Sequence, residues 1–438
     1  MNRPFRLDSA ELATQFREEW EPRDRALFHE LLFGLIRWHG RIIWLLEKLS
    51  RRGLDAPPAV FSAAAIGLYQ ILFLDRIPDH AAVDTSVELA RRAGGQRAAD
   101  WVNAVLRKIA GDPDYWRTAA PDKGDAALRL SILHSHPWWM VARWMRIMPP
   151  IGLKAFLEWN NRRPQPSLRI DRRRITAADA IAELKALGLD AVRSSLNEWF
   201  ITVQHGGDPS RLSPIAKGWA VAQDVSQGFV SLLVDPRPGT TVLDLCAAPG
   251  GKTGHLAELC PDCRIAATDK EPERLQLVGE LVKSKEYLNV NILPYQEMLD
   301  RREQYDTILV DAPCTGTGVL ARRPDLRWRR TPADVARMAQ IQLQLLQLAA
   351  NRLSSGGAII YSTCSVETEE NKGLVDRFLQ QARDFRIVPA DGYLPKGLID
   401  EAGCYNIRGP ETSSDGAFAA RLERKRVTIA DSGKHDGV

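Results

Sequence analysis

The spacing of apolar residues divides the chain into three regions that predict different kinds of structure. In residues 1–145, apolar side chains recur at intervals of three and four positions, as at Leu27, Leu31 and Leu35, which is typical of helices with one buried face. Glycine and proline residues interrupt this pattern and separate one predicted helix from the next, namely Gly53, Pro57, Pro58, Pro78, Gly94 and Gly95. We therefore expect an all-α domain here, in the form of a helical bundle.

The second region, residues 146–235, contains shorter apolar runs. Ser167–Arg172 and Trp199–Val203 have the length and composition of strands, and the stretch Ala177–Leu187 between them has helical spacing. These runs predict a small α+β module that precedes the last domain.

The third region, residues 236–427, alternates predicted strands with predicted helices. Strands are expected at 240–246, 264–269, 288–293, 306–311 and 356–364, and helices at 252–260, 271–284, 332–353 and 368–382. This alternation predicts a Rossmann-like α/β domain, with a mostly parallel sheet that binds ligands at the carboxyl ends of its strands. Residues 428–438 are expected to form a flexible tail.

The composition is that of a globular protein outside the membrane. Hydrophobic residues make up 45% and charged residues 26% of the 438 positions. The N-terminus lacks the apolar stretch of a signal peptide, and no window reaches the roughly 18 apolar residues that a membrane span requires. Six cysteines are too few for a disulfide scaffold in so long a chain, so we expect a cytoplasmic protein whose cysteines serve as thiols.

Arginines are unevenly distributed, although the formal net charge is only +4. The clusters are Arg162, Arg163, Arg169, Arg172, Arg173 and Arg174; Arg322, Arg323, Arg327, Arg329 and Arg330; and Arg421, Arg424, Lys425 and Arg426. Two interpretations have equal weight. The guanidinium groups contact a phosphate backbone, in which case binding weakens with salt, or they cover solvated helix faces.

The segment VLDLCAAPGGKT, residues 242–253, is the candidate cofactor loop. An apolar strand leads into small residues, and a helix follows whose N-terminus allows backbone N–H groups to approach a ligand. Asp269, at the end of the next predicted strand, is placed to accept hydrogen bonds from both ribose hydroxyls of a nucleoside. Cys246 stands where a P-loop requires glycine, and the pattern G-x-G-x-x-G is absent, so ATP and NAD are not favoured.

Two cysteines follow neighbouring predicted strands. Cys314 lies in the motif DAPCTGTG, residues 311–318, and Cys364 in the motif YSTCS, residues 361–365. A strand-end cysteine alone is typically a small buried hydrophobe, but two in polar turn motifs beside a cofactor loop favour chemistry. A thiolate that adds to carbon 6 of cytosine makes carbon 5 nucleophilic enough to accept a methyl group. An acid such as Asp311 can contact the N3 and the amino group of the base, but these arguments do not decide which cysteine attacks.

These motifs resemble the Sun/nucleolar-protein family of RNA cytosine-5 methyltransferases. The segments 245–253, 311–314 and 363–365 match its cofactor, proline-cysteine and threonine-cysteine motifs, and the segment QDVS at 223–226 resembles a further family segment. The resemblance implies S-adenosyl-L-methionine as the cofactor, Cys364 as the nucleophile, Cys314 as the group that assists product release and Asp311 as the acid that contacts the base. The cofactor contacts it implies are Cys246, Ala247, Ala248, Pro249, Gly250, Gly251, Lys252, Asp269, Arg274 and Asp311. Near the adenine, where the family has an acid after the third strand, either Gln296 replaces it or the neighbouring Glu297 takes its place.

The N-terminal region also resembles a known unit. The segments RALFHELLFGLIR, residues 25–37, and VNAVLR, residues 102–107, are similar to the NusB-like RNA-binding domain. The resemblance therefore covers residues 5–427 and implies a monomer that binds RNA, specifically small-subunit ribosomal RNA, with the α+β module guiding it. The paired phenylalanines of the family's last strand are reduced here to Phe418.

Several alternatives remain at this point. Cys260 and Cys263 form a C-x-x-C pair, but without a second pair at zinc spacing we expect no metal site. Another RNA such as tRNA is a possible substrate, and a DNA cytosine methyltransferase would attack through the proline-cysteine thiol. A third alternative is a ribosome-assembly factor that binds RNA without catalysis.

Overall fold

The computed structural model describes residues 20–50, 56–204 and 212–425, which form two compact units. The first unit comprises the chain up to Arg163 together with Leu320–Arg330, and the second comprises Pro164–Val319 and the chain from Thr331. The expected tail and Arg426 lie outside the described residues. Among the helices of the described residues, none combines the length and the apolar character needed to cross a membrane.

The first unit is helical, as its apolar spacing predicts. Its helices are α1 (Pro22–Arg37), α2 (His39–Leu49), α3 (Pro58–Phe73), α4 (Asp79–Ala110), α5 (Pro113–Thr118), α6 (Ala126–Leu133), α7 (Trp138–Trp144) and α8 (Pro150–Asn160). Leu45, Leu68 and Leu106 are fully buried in the core that α2, α3 and α4 share. Gly95 bends α4, because its φ of 74° lies in the left-handed region that glycine tolerates. Leu27, which was expected on the buried face of α1, is 41% exposed.

The inserted segment Leu320–Arg330 completes the first unit. The Arg327 side chain is fully buried and donates to the carbonyl oxygens of Arg37 (3.1 Å), Ser135 (3.0 Å) and Asn160 (2.8 Å). The Trp328 indole N–H donates to the carbonyl of Ile36 at 2.7 Å. Carbonyl oxygens thus accept from both terminal nitrogens of the buried guanidinium, and the segment is anchored to the helices on which it lies.

The second unit begins with a small antiparallel sheet. Its elements are β1 (Ser167–Ile170), α9 (Ala177–Ala186), β2 (Ala191–Arg193), β3 (Phe200–Val203), α10 (Ser213–Ala216) and β4 (Ala220–Ala222), with strand order β2-β3-β1-β4. The two predicted strands and the helix between them are confirmed. The short strands β2 and β4 were not predicted.

A larger mixed sheet follows. Its elements are α11 (Val225–Val234), β5 (Thr241–Asp244), α12 (Gly251–Leu259), β6 (Arg264–Ala267), α13 (Pro272–Lys285), β7 (Val290–Ile292), α14 (Tyr295–Asp300) and β8 (Tyr305–Asp311). After α15 (Leu326–Arg329), which lies in the first unit, come α16 (Pro332–Arg352), β9 (Leu353–Thr363), α17 (Lys372–Gln381), β10 (Phe385–Val388), β11 (Tyr405–Ile407) and β12 (Ala417–Arg424). The order is β10-β12-β9-β8-β5-β6-β7, and β11 pairs with β12.

The register of this sheet positions the site. Strands β9, β8, β5, β6 and β7 are parallel, and Asp311 at the end of β8 lies opposite Ser362 near the end of β9. The carboxyl ends of the parallel strands therefore meet at one edge, where the loops after β5, β6, β8 and β9 converge. Strand β12, which contains Phe418, pairs antiparallel with β9, so the expected last strand is present.

Candidate active site

The loop between β5 and α12 has the geometry of a ligand cradle. Gly250 has a φ of 104°, and a Cβ on it would lie 2.9 Å from the Leu281 side chain and 3.4 Å from the Val278 backbone. Only glycine allows this turn to pack against α13. The helix N-terminus that follows presents backbone N–H groups to the loop.

Asp269 is buried and holds this loop in place. One carboxylate oxygen accepts from the Ala248 N–H at 3.2 Å, and the other accepts from the Glu271 N–H at 3.1 Å. Arg274 donates to the Ala248 carbonyl at 3.1 Å. Each carboxylate oxygen has two acceptor sites, so Asp269 retains capacity for the hydroxyls of a ribose.

Asp244, at the end of β5, is an acid inside the cradle that the sequence analysis did not select. One of its oxygens accepts from the Thr253 hydroxyl at 2.7 Å, and the other is buried without a partner among the described residues. Burial raises the pKa of Asp244 to about 7. A buried acceptor without a partner beside the glycine loop fits a cationic, hydrogen-bonding group such as the methionine part of a sulfonium cofactor.

Asp311 is oriented from two sides. Its Oδ1 accepts from the Ser362 hydroxyl at 2.8 Å, and its Oδ2 accepts from the Lys252 ammonium at 2.6 Å. Lys252 also donates to the side-chain oxygen of Gln227 at 2.5 Å. These two contacts fix the orientation of the carboxylate, whose oxygens can each accept a further hydrogen bond.

Cys314 and Cys364 lie together, as the strand order predicts. Their sulfur atoms are 3.1 Å apart. The hydrogen bond to Cys364 and burial raise the pKa of the Cys314 thiol well above its usual value. The neutral thiol is therefore favoured at Cys314, next to the Cys364 sulfur.

Close backbone contacts fix the Cys314 loop beside Cys364. The Gly318 N–H donates to the Cys364 carbonyl at 2.9 Å, and the Gly416 N–H donates to the Gly318 carbonyl at 2.9 Å. A Cβ on Gly318 would lie 2.8 Å from the Cys364 carbonyl oxygen. The second glycine of the T-G-T-G motif is thus required for this approach.

Gln296 is exposed on α14, where its amide nitrogen donates to Asp300 at 3.1 Å, and its role as a cofactor contact stays a prediction. One predicted feature differs in the structure. Cys260 and Cys263 are buried and form a disulfide, so these two cysteines are not thiols as expected. Cys246, Cys314, Cys364 and Cys404 are free thiols.

Most arginines of the predicted clusters are engaged within the protein. Arg169 is fully buried and pairs with Glu258, and Arg327 is buried among carbonyl groups. The others in ion pairs include Arg163 with Glu30, Arg172 with Glu198, Arg173 and Arg174 with Asp171, Arg323 and Arg329 with Asp325, and Arg424 with Asp384. Neither a contact with phosphate nor a place on a solvated helix face describes Arg169 or Arg327. Both side chains are buried and stabilise the fold, because a buried guanidinium requires acceptors.

Three family models match parts of the chain. The family model described as 16S rRNA methyltransferase RsmB/F matches residues 231–423. The NusB family matches residues 5–111, and the ferredoxin-like domain of RsmF/B-like methyltransferases matches residues 136–208.

Relatives of similar length match nearly the whole chain. Ribosomal RNA small subunit methyltransferase B of Salmonella paratyphi B is 32% identical over 407 residues, which are 92% of this chain and 91% of the relative. Probable ribosomal RNA small subunit methyltransferase B of Synechocystis is 32% identical over 417 residues and covers 92% of both chains.

Among solved structures, PH0851 superimposes with a TM-score of 0.76 at 25% identity, covering 93% of this chain and 92% of that one. NSun6 from Pyrococcus horikoshii has a TM-score of 0.56 at 20% identity and covers 66% of this chain and 97% of its own, which supports the fold alone.

Proposed function

Because the chain belongs to the RsmB/F family of 16S rRNA methyltransferases, we propose that it methylates carbon 5 of a cytosine in small-subunit ribosomal RNA. S-adenosyl-L-methionine is the methyl donor. The observation that carries the proposal is the pair of sulfurs 3.1 Å apart beside the glycine loop, with Asp311 held at the end of the neighbouring strand.

The residues of the loop after β5 and those just after β6 would hold the cofactor. Gly250 and Gly251 would let the backbone approach it, and Asp269 would accept from its ribose hydroxyls. Arg274 donates to the loop from α13. When bound, the cofactor supplies an electrophilic methyl group on a sulfonium.

Cys364 supplies the nucleophile. Its sulfur bonds to carbon 6 of the cytosine, and the electrons of the 5,6 double bond become available at carbon 5 for the new bond to the methyl carbon. The thiolate is the attacking form of the cysteine.

Asp311 orients the base. Lys252 and Ser362 fix both carboxylate oxygens, which leaves further acceptor sites for the amino group of the cytosine. A preorganised acceptor of this kind requires no reorientation while charge develops on the ring.

Cys314 assists release. After methyl transfer the carbon 5 proton leaves, its electron pair re-forms the 5,6 double bond, and the Cys364 sulfur departs with the electrons of the bond to carbon 6. Cys314 lies next to that sulfur, so its thiol proton can pass to the departing Cys364 sulfur, and the Cys314 thiolate that results accepts the carbon 5 proton.

NusB-like and ferredoxin-like domains precede the catalytic sheet, which supports RNA binding. The proposal includes a monomer that acts in the cytoplasm. Small-subunit ribosomal RNA is preferred to tRNA because the relatives named above act on it.

The decisive experiment traps the protein on 5-fluorocytosine-containing small-subunit RNA and maps the attached cysteine. Cys364→Ser should abolish both trapping and methylation, measured by bisulfite sequencing of unmodified RNA. Cys404→Ala is the matched control, because it removes a buried thiol that directly precedes β11, and it should retain both trapping and methylation.

Three results would overturn the proposal. Undiminished methylation by Cys364→Ser would remove the nucleophile. A trapped complex that survives Cys364→Ala but is lost in Cys314→Ala would indicate the chemistry of DNA methyltransferases. Cofactor binding without turnover on any ribosomal RNA would indicate an assembly factor.

A further inference from the structure

Glu370 is a fully buried carboxylate just after the Cys364 loop, in a single helical turn, Thr368–Glu370. Four donors converge on it. Its Oε2 accepts from the Thr315 N–H at 2.8 Å and from the Gln342 amide at 3.0 Å. Its Oε1 accepts from the Ser365 hydroxyl at 2.9 Å and from the Thr315 hydroxyl.

These donors belong to different parts of the site. Thr315 directly follows Cys314, and Ser365 directly follows Cys364. One buried side chain therefore ties together the two loops that contain the cysteines, while Gln342 joins both to α16, where it also donates to the Pro313 carbonyl at 2.9 Å.

The contact requires a carboxylate. Two ionised oxygens offer about four acceptor sites, which is the number of donors present, whereas an amide would direct an NH₂ group at two of them. Burial raises the pKa of Glu370, and the donors from Thr315, Gln342 and Ser365 oppose that effect. Burying a carboxylate costs free energy unless hydrogen bonds compensate it, and the four donors from the two loops and α16 supply that compensation.

We propose that Glu370 is a positioning residue that sets the distance between the Cys314 and Cys364 sulfurs. The inference rests on the proposed function for its catalytic meaning. The two thiols act on adjacent carbons of one ring, and a small change in their separation leaves one of them out of reach.

A second, uncharged connection between the Cys314 and Cys364 loops does not involve Glu370, so a Glu370 variant should still fold. The Thr317 hydroxyl accepts from the Val366 N–H at 3.1 Å and lies 3.2 Å from the Ser365 hydroxyl. Glu370→Gln should therefore loosen the spacing of the sulfurs without separating the loops.

The first test measures this spacing without catalysis. Phenylarsine oxide bridges two thiols only when they lie close together, and peptide mass spectrometry then shows which cysteines are protected from alkylation. In the wild-type protein Cys314 and Cys364 should be bridged. In Glu370→Gln the rate of bridging should fall about tenfold or more, while single thiols still react with iodoacetamide.

Asp306→Asn is the matched control. Asp306 is an exposed carboxylate that accepts from the Thr241 N–H (2.9 Å), the Thr241 hydroxyl (2.9 Å) and the Ser354 hydroxyl (3.2 Å), at the opposite end of the same sheet. This variant should bridge as fast as the wild-type protein.

The second test measures turnover. Glu370→Gln should lower kcat and slow the formation of the 5-fluorocytosine complex, with the KM for RNA and the Kd of the cofactor unchanged. Bridging and kcat at wild-type values would overturn the inference, as would a lowered free energy of unfolding with unaltered bridging. If the wild-type protein traps no RNA, the proposed function fails, but the arsenical result still decides the role of Glu370.

Discussion

In the proposed mechanism the Cys314 thiol acts after attack, in the release step. The neighbouring sulfur and burial raise its pKa, which favours the neutral thiol, and attack by Cys364 does not require it. We expect Cys314→Ala to form the covalent complex with ordinary RNA but to release it slowly, with turnover lower by roughly a hundredfold or more. Denaturing gel electrophoresis should show protein bound to RNA. Free RNA and normal turnover would contradict the role of Cys314 in release.

Asp244 makes stability depend on pH near neutrality. Burial raises its pKa from 3.8 to about 7, so the folded protein holds the proton more tightly than the unfolded chain does. Protonated Asp244 therefore contributes stability that is fully present below its unfolded pKa of 3.8 and is lost as pH rises through its folded pKa of about 7. The resulting decrease in the free energy of unfolding is on the order of 4 kcal/mol.

Asp244→Asn removes this titration and keeps an oxygen for the Thr253 hydroxyl. The difference in free energy of unfolding between the variant and the wild-type protein should therefore shift in favour of the variant from pH 5 to pH 8. Urea unfolding at both pH values measures this difference. An equal difference between the two proteins at both pH values would show that Asp244 does not titrate in this range.

At the scale of elements, the Cys314 loop can pack closely against the Cys364 loop only because Gly318 has no side chain. Gly318→Ala would place a Cβ 2.8 Å from the Cys364 carbonyl oxygen and 3.0 Å from that of Gly416, and both neighbours are backbone. The loop must then shift, and we expect kcat to fall by on the order of a hundredfold. Gly397→Ala, where a Cβ meets nothing within 4 Å, should keep wild-type turnover. Equal turnover in both variants would show that the contact is not needed.

The elements themselves were largely predictable from the sequence. The strands and helices that were predicted for residues 236–427 occur close to the expected positions. Strand β5 spans Thr241–Asp244, where 240–246 was expected, and α13 spans Pro272–Lys285, where 271–284 was expected. Strand β9 starts earlier than expected, at Leu353, because Leu353 pairs with Tyr305 of β8. The strands β2 and β4 have three residues each, too short for a periodic pattern to reveal.

The site was predictable where a motif marked it and not where a distant contact decides a role. The motifs indicated Asp311 and both cysteines, which the sheet brings to one edge. Glu370 stands in an acidic run, Glu367, Glu369 and Glu370, and nothing in the sequence shows which of the three is the buried partner of Thr315. Its partner lies 55 residues away along the chain, so the contact depends on the strand order.

At the scale of the whole molecule, some arginines of the predicted clusters stabilise the fold through buried contacts. Arg169 of the small sheet and Glu258 of α12 are 89 residues apart and form a buried pair. Arg169 also donates to the Gln223 side chain at 2.6 Å, and Glu258 accepts from the Tyr287 hydroxyl. Salt-dependent RNA binding therefore rests on fewer cations than the clusters imply.

This buried pair should attach the small sheet to the catalytic sheet within the second unit. Removing one partner leaves the other charge buried without compensation, at a cost of about 3–5 kcal/mol, whereas removing both is close to neutral. We expect Arg169→Met and Glu258→Gln each to lower the free energy of unfolding by that amount, and the double variant to recover most of the loss. Glutamine at 258 keeps an oxygen for the Tyr287 hydroxyl.

Urea unfolding of the four proteins measures the coupling, with Arg172→Met as the control because its pair with Glu198 is exposed and worth about 1 kcal/mol or less. If the losses of the two single variants simply add in the double variant, the two charges do not depend on each other. The attachment of the small sheet would then have to come from the apolar contacts of Phe200 with α11 and α12, whose buried residues share one core with it.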